Sequence, residues 1–460
     1  MTMFSTTYWH TITRTVALAV RSEGVRFLWL AGLIGLLSLG SGSAWAGVRI
    51  DITKGGLTPL PIAVPAFVNL TAGGQIAPGT MGSQLSEVVS ADLERSGLFR
   101  PLNRSAFLQM PDTLWRTGPE FKEWRVIGAE AVVSGATRQE GDQVIVDFFL
   151  YDVFQGSLVG KGKRFSASQR NWRHVAHRVA DEIYTRLTGE TGYFTSRIAF
   201  VAQKGGAKHL AMMDQDGANR VELTQGKDLV LTPRYSPDGD QLFYLSYETG
   251  APRVFRLDLS SGVHSQQGDY PGLNSAPSWS PDGKRMALTL SMDGNPEIYV
   301  KELGSGQLVR LTNHTAIDTS PSFSPDGQKL VFNSDRAGNP QLYVMDSHGG
   351  EPRRITFDGN YNAAPSWSPR GDLIAFVHGN GGRFQIAVIT PDGKNMRVLT
   401  DSWMDESPTW SPNGRVILFS RQSGSHSQLY SIDLTGYNER LVPVGGDSEG
   451  SDPSWSPLIR

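Results

Sequence analysis

From about residue 197 to the C-terminus, apolar positions come in short alternating runs separated by turn residues, and the order of runs repeats. Residues 329–335 (KLVFNSD) read as a strand, Ala337-Gly-Asn as a turn, and residues 341–346 (QLYVMD) as a second, alternating strand. Gly349-Gly350 turns the chain again before a third short run, Arg353–Thr356. A fourth segment precedes each set: a proline, an aromatic between small residues, a second proline, and an Asp-Gly or similar turn. It occurs as PRYSPDG from Pro233, PSWSPDG from Pro277, PSFSPDG from Pro321, PSWSPRG from Pro365, PTWSPNG from Pro408 and PSWSP from Pro453. The leading prolines are 44, 44, 44, 43 and 45 residues apart. A period in this range marks propeller blades, each a four-stranded sheet, so the pattern predicts six blades. Because proline donates nothing to a ladder, the two prolines are expected to bracket a very short aromatic strand.

The repeat also predicts how the ring closes. Residues 197–224 align without gaps to 329–356, but this first copy lacks an aromatic segment before it. The last copy has the aromatic segment and almost nothing after it. The C-terminal strand is therefore expected to complete the blade begun at Arg197, which removes two open sheet edges.

Between Gly47 and about Gly192 the pattern is different. Val48–Ile52 alternates like a strand, and Leu60–Val68, interrupted by prolines, reads as an edge or irregular strand. Leu85, Val88, Val89 and Leu93 recur at helical spacing ahead of Gly97. Residues 131–134 and 144–151 flank Glu140-Gly-Asp142 as a hairpin, with another strand near 158–165. Trp172, Val175, Ala176, Val179, Ile183 and Leu187 share one face of a second helix. The fold class expected is thus an α/β N-terminal domain (47–192) followed by an all-β six-bladed propeller (193–460), closed by its C-terminal strand.

Composition narrows the function. The formal charge is −2 and no basic patch with interleaved aromatics occurs, which argues against a nucleic-acid partner. Cysteine is absent, which excludes disulfides, thiolate nucleophiles and sulfur metal sites. Arg14, Arg21 and Arg26 precede the apolar run 27–39, and Ala44-Trp-Ala46 fits a small-x-small cleavage site. Residues 1–46 are accordingly expected to be a signal peptide, the run being short for a membrane span.

A signal peptide, a small α/β domain and six P-x-[WFY]-S-P repeats closing on a C-terminal PSWSP together resemble the TolB family, periplasmic components of the Tol–Pal system. The resemblance covers 47–460. It implies a non-enzymatic, monomeric scaffold in the periplasm that binds the lipoprotein Pal at one propeller mouth and TolA through its mature N-terminus. It further implies support of outer-membrane integrity and of envelope constriction in cell division, with other outer-membrane lipoproteins or bacteriocin segments as further partners. The N-terminal contact falls on Val48, Arg49, Ile50, Asp51 and Ile52. Their alternation beside Gly55-Gly56 suits strand addition to a partner or an ordinary first strand of the domain's own sheet.

If the aromatic strand is innermost, the residues just before it rim one mouth. They differ from blade to blade while the aromatic and turn residues recur, so they are the candidate partner surface. Leu229, Leu273, Asn274, Ala276, Asp318, Thr319, Tyr361, Asn362, Asp405 and Glu406 are the residues expected to contact Pal. Apolar anchors among polar groups suit a protein interface. The rim carboxylates (Asp228, Asp318, Asp405, Glu406, Glu449, Asp452) would favour a basic segment. No cofactor is expected; a channel calcium is the alternative those carboxylates raise.

Catalytic alternatives find little support. Gly446-Asp-Ser448-Glu-Gly450 matches G-x-S-x-G, but no histidine follows it, as a nucleophile elbow requires. His174 and His177 stand three apart on the second helix beside Arg173 and Arg178 and read as a solvated face. The competing reading is a secreted propeller lyase or lactonase with a channel metal, using Asp318, Asp405, Asn362 or His314.

Overall fold

The computed structural model describes residue 50 and residues 58–459 other than 227 and 447; of Ala276 only the backbone is described. The expected signal peptide and Val48, Arg49, Asp51 and Ile52 lie outside the described residues. Gly47–Arg460 forms one compact unit.

The α/β domain is built on a mixed sheet. Its strands are β1 (Leu60–Ala63), β2 (Val68–Leu70), β3 (Ile76–Ala77), β4 (Phe99–Pro101), β5 (Ala131–Glu140), β6 (Gln143–Asp152), β7 (Ser157–Leu158) and β8 (Lys163–Ser168). β5 and β6 are the expected hairpin. The expectation of an edge strand at Leu60 does not hold: β1 runs parallel between β4 and β5. Pro61 is tolerated there because the β5 ladder begins only at Ile62, so no donor is required of it; its carbonyl accepts from Glu130 N at 2.9 Å.

Four helices flank the sheet: α1 (Met81–Arg95), α2 (Pro111–Thr117), α3 (Phe121–Val126) and α4 (Trp172–Thr188). α1 and α4 bury the apolar stripes read from their spacing, with Leu85, Val89, Val179 and Ile183 at 0% exposure. α2 and α3, too short to leave a periodic signal, place Leu114 and Trp124 in a smaller core with Val132 and Val153.

The propeller consists of six four-stranded sheets. Blade one is closed as expected, the C-terminal strand Glu449–Trp455 pairing antiparallel with Arg197–Lys204. Trp455 then joins Val179, Ile183, Tyr193, Phe194, Leu418 and Leu429 in one core, which runs from the α/β domain into blades one and six.

The inner strands differ from the expected short segment between prolines. Each is longer and contains the leading proline, as in Asn274–Trp279 and Asp318–Phe323. In all six blades the pairing register shifts at this point, a β-bulge. In five of the six the residue before the proline takes a left-handed backbone: φ is 47° at Thr232, 56° at Ser320, 50° at Ala364, 55° at Ser407 and 49° at Asp452. A bulge leaves its extra residue out of the ladder, so the missing proline N–H costs nothing there. Neighbouring blades use the bulge: Ser320 N donates to Thr289 Oγ1 at 3.3 Å and Ala364 N to Asn333 Oδ1 at 3.4 Å.

The two mouths are unequal. The α/β domain sits against the Pro-Asp-Gly turns and the third-to-fourth-strand turns. Arg370 and Arg415 from two such turns both bind Glu190, Asn413 Nδ2 donates to Thr191 O at 3.1 Å, and Asn438 Nδ2 to Arg95 O at 3.3 Å. Gly97 ends α1 at φ 73°, and a Cβ there would come within 2.5 Å of Asn438 Nδ2, so glycine lets helix and blade six meet. Nor is the His174–His177 face solvated, as its spacing had suggested: His177 is 2% exposed and bonded to Asp92, and His174 is half-buried. The flanking charges that implied exposure belong to a domain seam, which periodicity on one helix does not reveal.

Closure makes a definite prediction. Trp455→Ala should lower the unfolding free energy by about 3–5 kcal/mol in a urea titration, because a cavity would open in the core shared by both domains. A change below about 1 kcal/mol would show that this strand is not integral to the ring.

Candidate functional site

The mouth away from the α/β domain is where the inner strands begin, and the structure divides the expected contact residues into two kinds. Leu229 is 38% and Tyr361 37% exposed, and Glu406 is exposed; Leu273 and Thr319 are half-buried. Asn274, Asp318, Asn362 and Asp405, expected to face a partner, are instead buried, at 2%, 0%, 0% and 0% exposure. The side chain of Ala276 lies outside the described residues.

Those four buried residues occupy equivalent places at or near the start of their inner strands and brace the loops around them. Asp405 Oδ1 and Oδ2 accept from Arg421 Nε and Nη2 at 2.7 and 3.0 Å, and Arg421 also holds Glu439. Asp318 Oδ2 accepts from Arg336 Nη2 at 2.6 Å. Asn362 contacts His378 Nδ1 at 2.8 Å and donates to Gln341 Oε1 at 3.0 Å and Asp358 O at 2.8 Å. Asn274 donates to Tyr270 O at 2.7 Å and Gly272 O at 3.1 Å. A rim loop that must hold its shape without regular pairing needs such internal partners. Burial raises the Asp318 carboxyl although Ser334 and Arg336 oppose it. Burial likewise opposes the charge of Arg421, but Asp405 and Glu439 outweigh it and hold the guanidinium firmly protonated.

The channel wall shows one departure from the repeat. The residue after the leading proline is Ser278, Ser322, Ser366, Thr409 or Ser454 in five blades, and Arg234 in the sixth. Four of the hydroxyls accept the backbone N–H of the next blade's aromatic: Ser278 from Phe323, Ser322 from Trp367, Thr409 from Trp455 and Ser454 from Tyr235, at 3.1–3.3 Å. Arg234 cannot accept a hydrogen bond. Burial lowers its affinity for the proton, which Asp452 partly restores. Asp452 in turn accepts from Ser407 Oγ at 2.8 Å, and Glu406 is raised by burial and then by Asp452.

These partners bear on which rim carboxylates are free for a cation. Asp318 and Asp405 are already held by arginines, and Glu449 binds His426 Nδ1 at 2.7 Å. Asp228, Glu406 and Asp452 then remain, and the Arg234 guanidinium beside Asp452 opposes a cation there. Ser448 of the G-x-S-x-G match lies in the loop entering the last inner strand, with no helix after it. His314 Nδ1 accepts from Ala316 N at 3.0 Å, a turn contact.

Two exposed aromatics of the rim escaped the sequence reading. Phe357 and Trp403 are 70% and 71% exposed in the loops leading to the inner strands of blades five and six. Arg354 lies 4.9 Å over Phe357, Arg383 lies 5.5 Å over Trp403, and Tyr361 packs edge-on against Phe384 at 5.2 Å. Ile317 adds a further apolar group, 47% exposed. Exposed aromatics carrying arginines are the residue types that dominate binding energy at protein interfaces.

The fold and this mouth therefore define a class: a six-bladed propeller capped on one mouth by an α/β domain and presenting an apolar, aromatic rim on the other. Comparison with known proteins makes the assignment specific. The model of the TolB β-propeller domain matches residues 184–459 and that of the TolB amino-terminal domain residues 48–159. The Tol-Pal system protein TolB of Paramagnetospirillum magneticum is 48% identical over 235 residues, covering 50% of this chain and 51% of that protein. That of Roseobacter denitrificans is 46% identical over 229 residues, covering 48% and 51%. In these matches the chain spans about half the length of its curated relatives. A solved TolB from Acinetobacter baumannii superposes with a TM-score of 0.78 at 33% identity, over 89% of this chain and 99% of that one. The chain belongs to the TolB family.

Separating braces from contacts gives a test. Arg336→Met should destabilise by about 3–5 kcal/mol, since it leaves Asp318 buried and unpaired. Trp403→Ala should change stability by no more than about 0.5 kcal/mol, as surface substitutions do. Urea titrations of both variants check this, and equal effects would remove the distinction.

Proposed function

We propose that this protein is a periplasmic, non-enzymatic scaffold of the Tol-Pal system that captures Pal on its open mouth and contacts TolA through its mature N-terminus. The observation that carries this reading is the rim of Ile317, Phe357, Tyr361 and Trp403 on the mouth the α/β domain leaves free. Apolar anchors of this kind, ringed by Leu229, Leu273, Thr319 and Glu406, suit a globular partner better than a small substrate. Asn274, Asp318, Asn362 and Asp405 nearby are tied into internal pairs, which favours a rigid platform over acid–base chemistry. Among the described residues no helix is long and apolar enough to cross a membrane.

At the other end of the chain, Ile50 packs half-buried against the shared core and its N–H donates to Leu187 O at the end of α4, at 2.7 Å. In this reading the segment 48–52 exchanges between its own domain, where Ile50 makes this contact, and TolA. Coupling between the two sites requires that docking and release of this segment differ in free energy when Pal is bound. The same surfaces serve envelope integrity and constriction during division, and other outer-membrane lipoproteins or bacteriocin segments would compete for the open mouth.

The test is calorimetry with purified Pal and TolA domains. Trp403→Ala with Tyr361→Ala, or Thr319→Arg alone, should weaken Pal binding at least tenfold and leave TolA binding intact. Deleting 47–53 should do the reverse. Unchanged Pal binding in both mouth variants would refute the mouth assignment, and loss of both partners on the deletion would refute two separate sites.

A further inference from the structure

The seam between the α/β domain and blade one contains a buried polar cluster that the partner sites do not use. His177 of α4 is 2% exposed and Asp92 of α1 0%. His177 Nδ1 lies 2.6 Å from Asp92 Oδ2. The other oxygen of Asp92 accepts from Arg95 Nη1 and, across the seam, from Gln215 Nε2, each at 2.8 Å. His177 Nε2 is buried and makes no hydrogen bond. It faces two carboxylates of the propeller, Asp216 Oδ2 at 3.9 Å and Asp214 Oδ2 at 4.0 Å.

Two species could fill this gap, a metal ion or a proton. Zinc bonded to nitrogen and oxygen at about 2.0–2.1 Å in tetrahedral geometry sets its donors about 3.3 Å apart. Donors 3.9 and 4.0 Å from Nε2 would open both N–metal–O angles to about 145–155°, far from tetrahedral. The carboxylates are also occupied: Arg173 donates through Nε and Nη2 to Asp216, Asn219 Nδ2 donates to Asp214 at 2.6 Å, and Arg197 lies 3.7 Å from Asp214. The same spacing suits an N–H⁺ held between two carboxylates by charge attraction rather than by a direct hydrogen bond.

The charges around the ring agree. Four carboxylates (Asp92, Asp181, Asp214, Asp216) stand against three guanidiniums (Arg95, Arg173, Arg197). Asp181, on the same helix, accepts from Phe194 N, Thr195 N and Thr195 Oγ1 at 2.7, 3.0 and 2.7 Å. Arg178 is exposed, with its guanidinium 4.5 Å from the Phe165 ring. His174, one turn away, is held below its ordinary value by burial and then by His177, so it does not supply the missing charge.

We propose that His177 is a proton-operated clasp: its imidazolium holds Asp92 of the α/β domain to Asp214 and Asp216 of blade one, and its neutral ring loosens the seam. Burial opposes the charge, but Asp92, then Asp216 and Asp214, outweigh it and raise the group above its ordinary 6.5. A raised value means the stabilisation is complete below about pH 6.5 and is lost as pH rises through the folded-state value. Burial raises the Asp216 carboxyl, but His177 and Arg173 outweigh it and hold it below 3.8, so this partner stays charged in mild acid. Asp181, pushed up to about 6 by burial, is ionised across the upper part of the range. The clasp is thus closed below about pH 6.5 and opens as pH rises through the folded-state value, which lies above 6.5. It sits on the same helix whose far end anchors Ile50.

Imidazole nitrogen resonances of the full mature chain, followed from pH 5 to 9.5, test this without any partner. A His177 midpoint above 6.5, with Nδ1 protonated throughout, is expected; a ring neutral at pH 6 would overturn the proposal. Hydrogen exchange at residues 214–219 supplies the second reading. The parent should exchange about tenfold more slowly than His177→Gln at pH 6 and equally at pH 9.5, and a constant ratio would mean a neutral structural role. Should that variant not fold, Asp214→Asn replaces it with the same expectation. One equivalent of zinc chloride should leave the His177 resonances in place; loss of them would favour a metal and overturn the clasp.

Discussion

Antiparallel pairing of Glu449–Trp455 with Arg197–Lys204 joins the last strand of the chain to the first strand of the propeller, and much of the structure rests on it. The pairing turns a row of blades into a ring with no open inner edge. It also carries Trp455 into contact with Tyr193, at 5.7 Å between rings, where the linker from the α/β domain enters. Trp455 Nε1 donates to Ser196 Oγ at 2.8 Å, so the indole is satisfied as well as buried. Ring closure and domain attachment are thereby one packing event, which is why a single core spans α4, Tyr193, Phe194 and blades one and six.

Around the ring a second constraint repeats: inner strands that converge on a narrow channel. Each solves it with a bulge at the leading proline, joined in five blades by a left-handed residue before it and in most by a hydroxyl after it for the next blade. Residues that recur in the repeat are therefore spent on geometry, and residues free to vary collect on the rim. Yet not all varied residues face outward. Asp318 with Arg336, Asp405 with Arg421, and Asn362 with His378 are different solutions to one demand, that a loop entering a buried strand needs a buried partner. What is left for a partner is apolar and aromatic, concentrated on blades five and six.

The seam with the α/β domain is of another kind. One large apolar core is accompanied by a compact set of charges in which Arg173, Gln215 and His177 cross from one domain to the other. Apolar packing gives this interface its strength without direction. The ion pairs give it a defined register, and one member has a charge that follows the medium.

Much of the architecture was legible in the residues alone, because repetition is a property of the chain. Equal spacing of P-x-[WFY]-S-P segments, a first copy lacking its aromatic strand and a last copy holding only that strand determined six blades and their closure. Helical spacing determined α1 and α4 and their buried faces. What the sequence could not determine was which polar residues face water, because that depends on neighbours brought near by folding. Asp92 and His177 are 85 positions apart, and Asp318 and Arg336 18 apart, one in a strand and one in a turn, so neither pair leaves a periodic trace. Only the assembled ring turned rim acids into braces, put Phe357 and Trp403 on the open mouth, and enclosed a histidine among carboxylates from two domains.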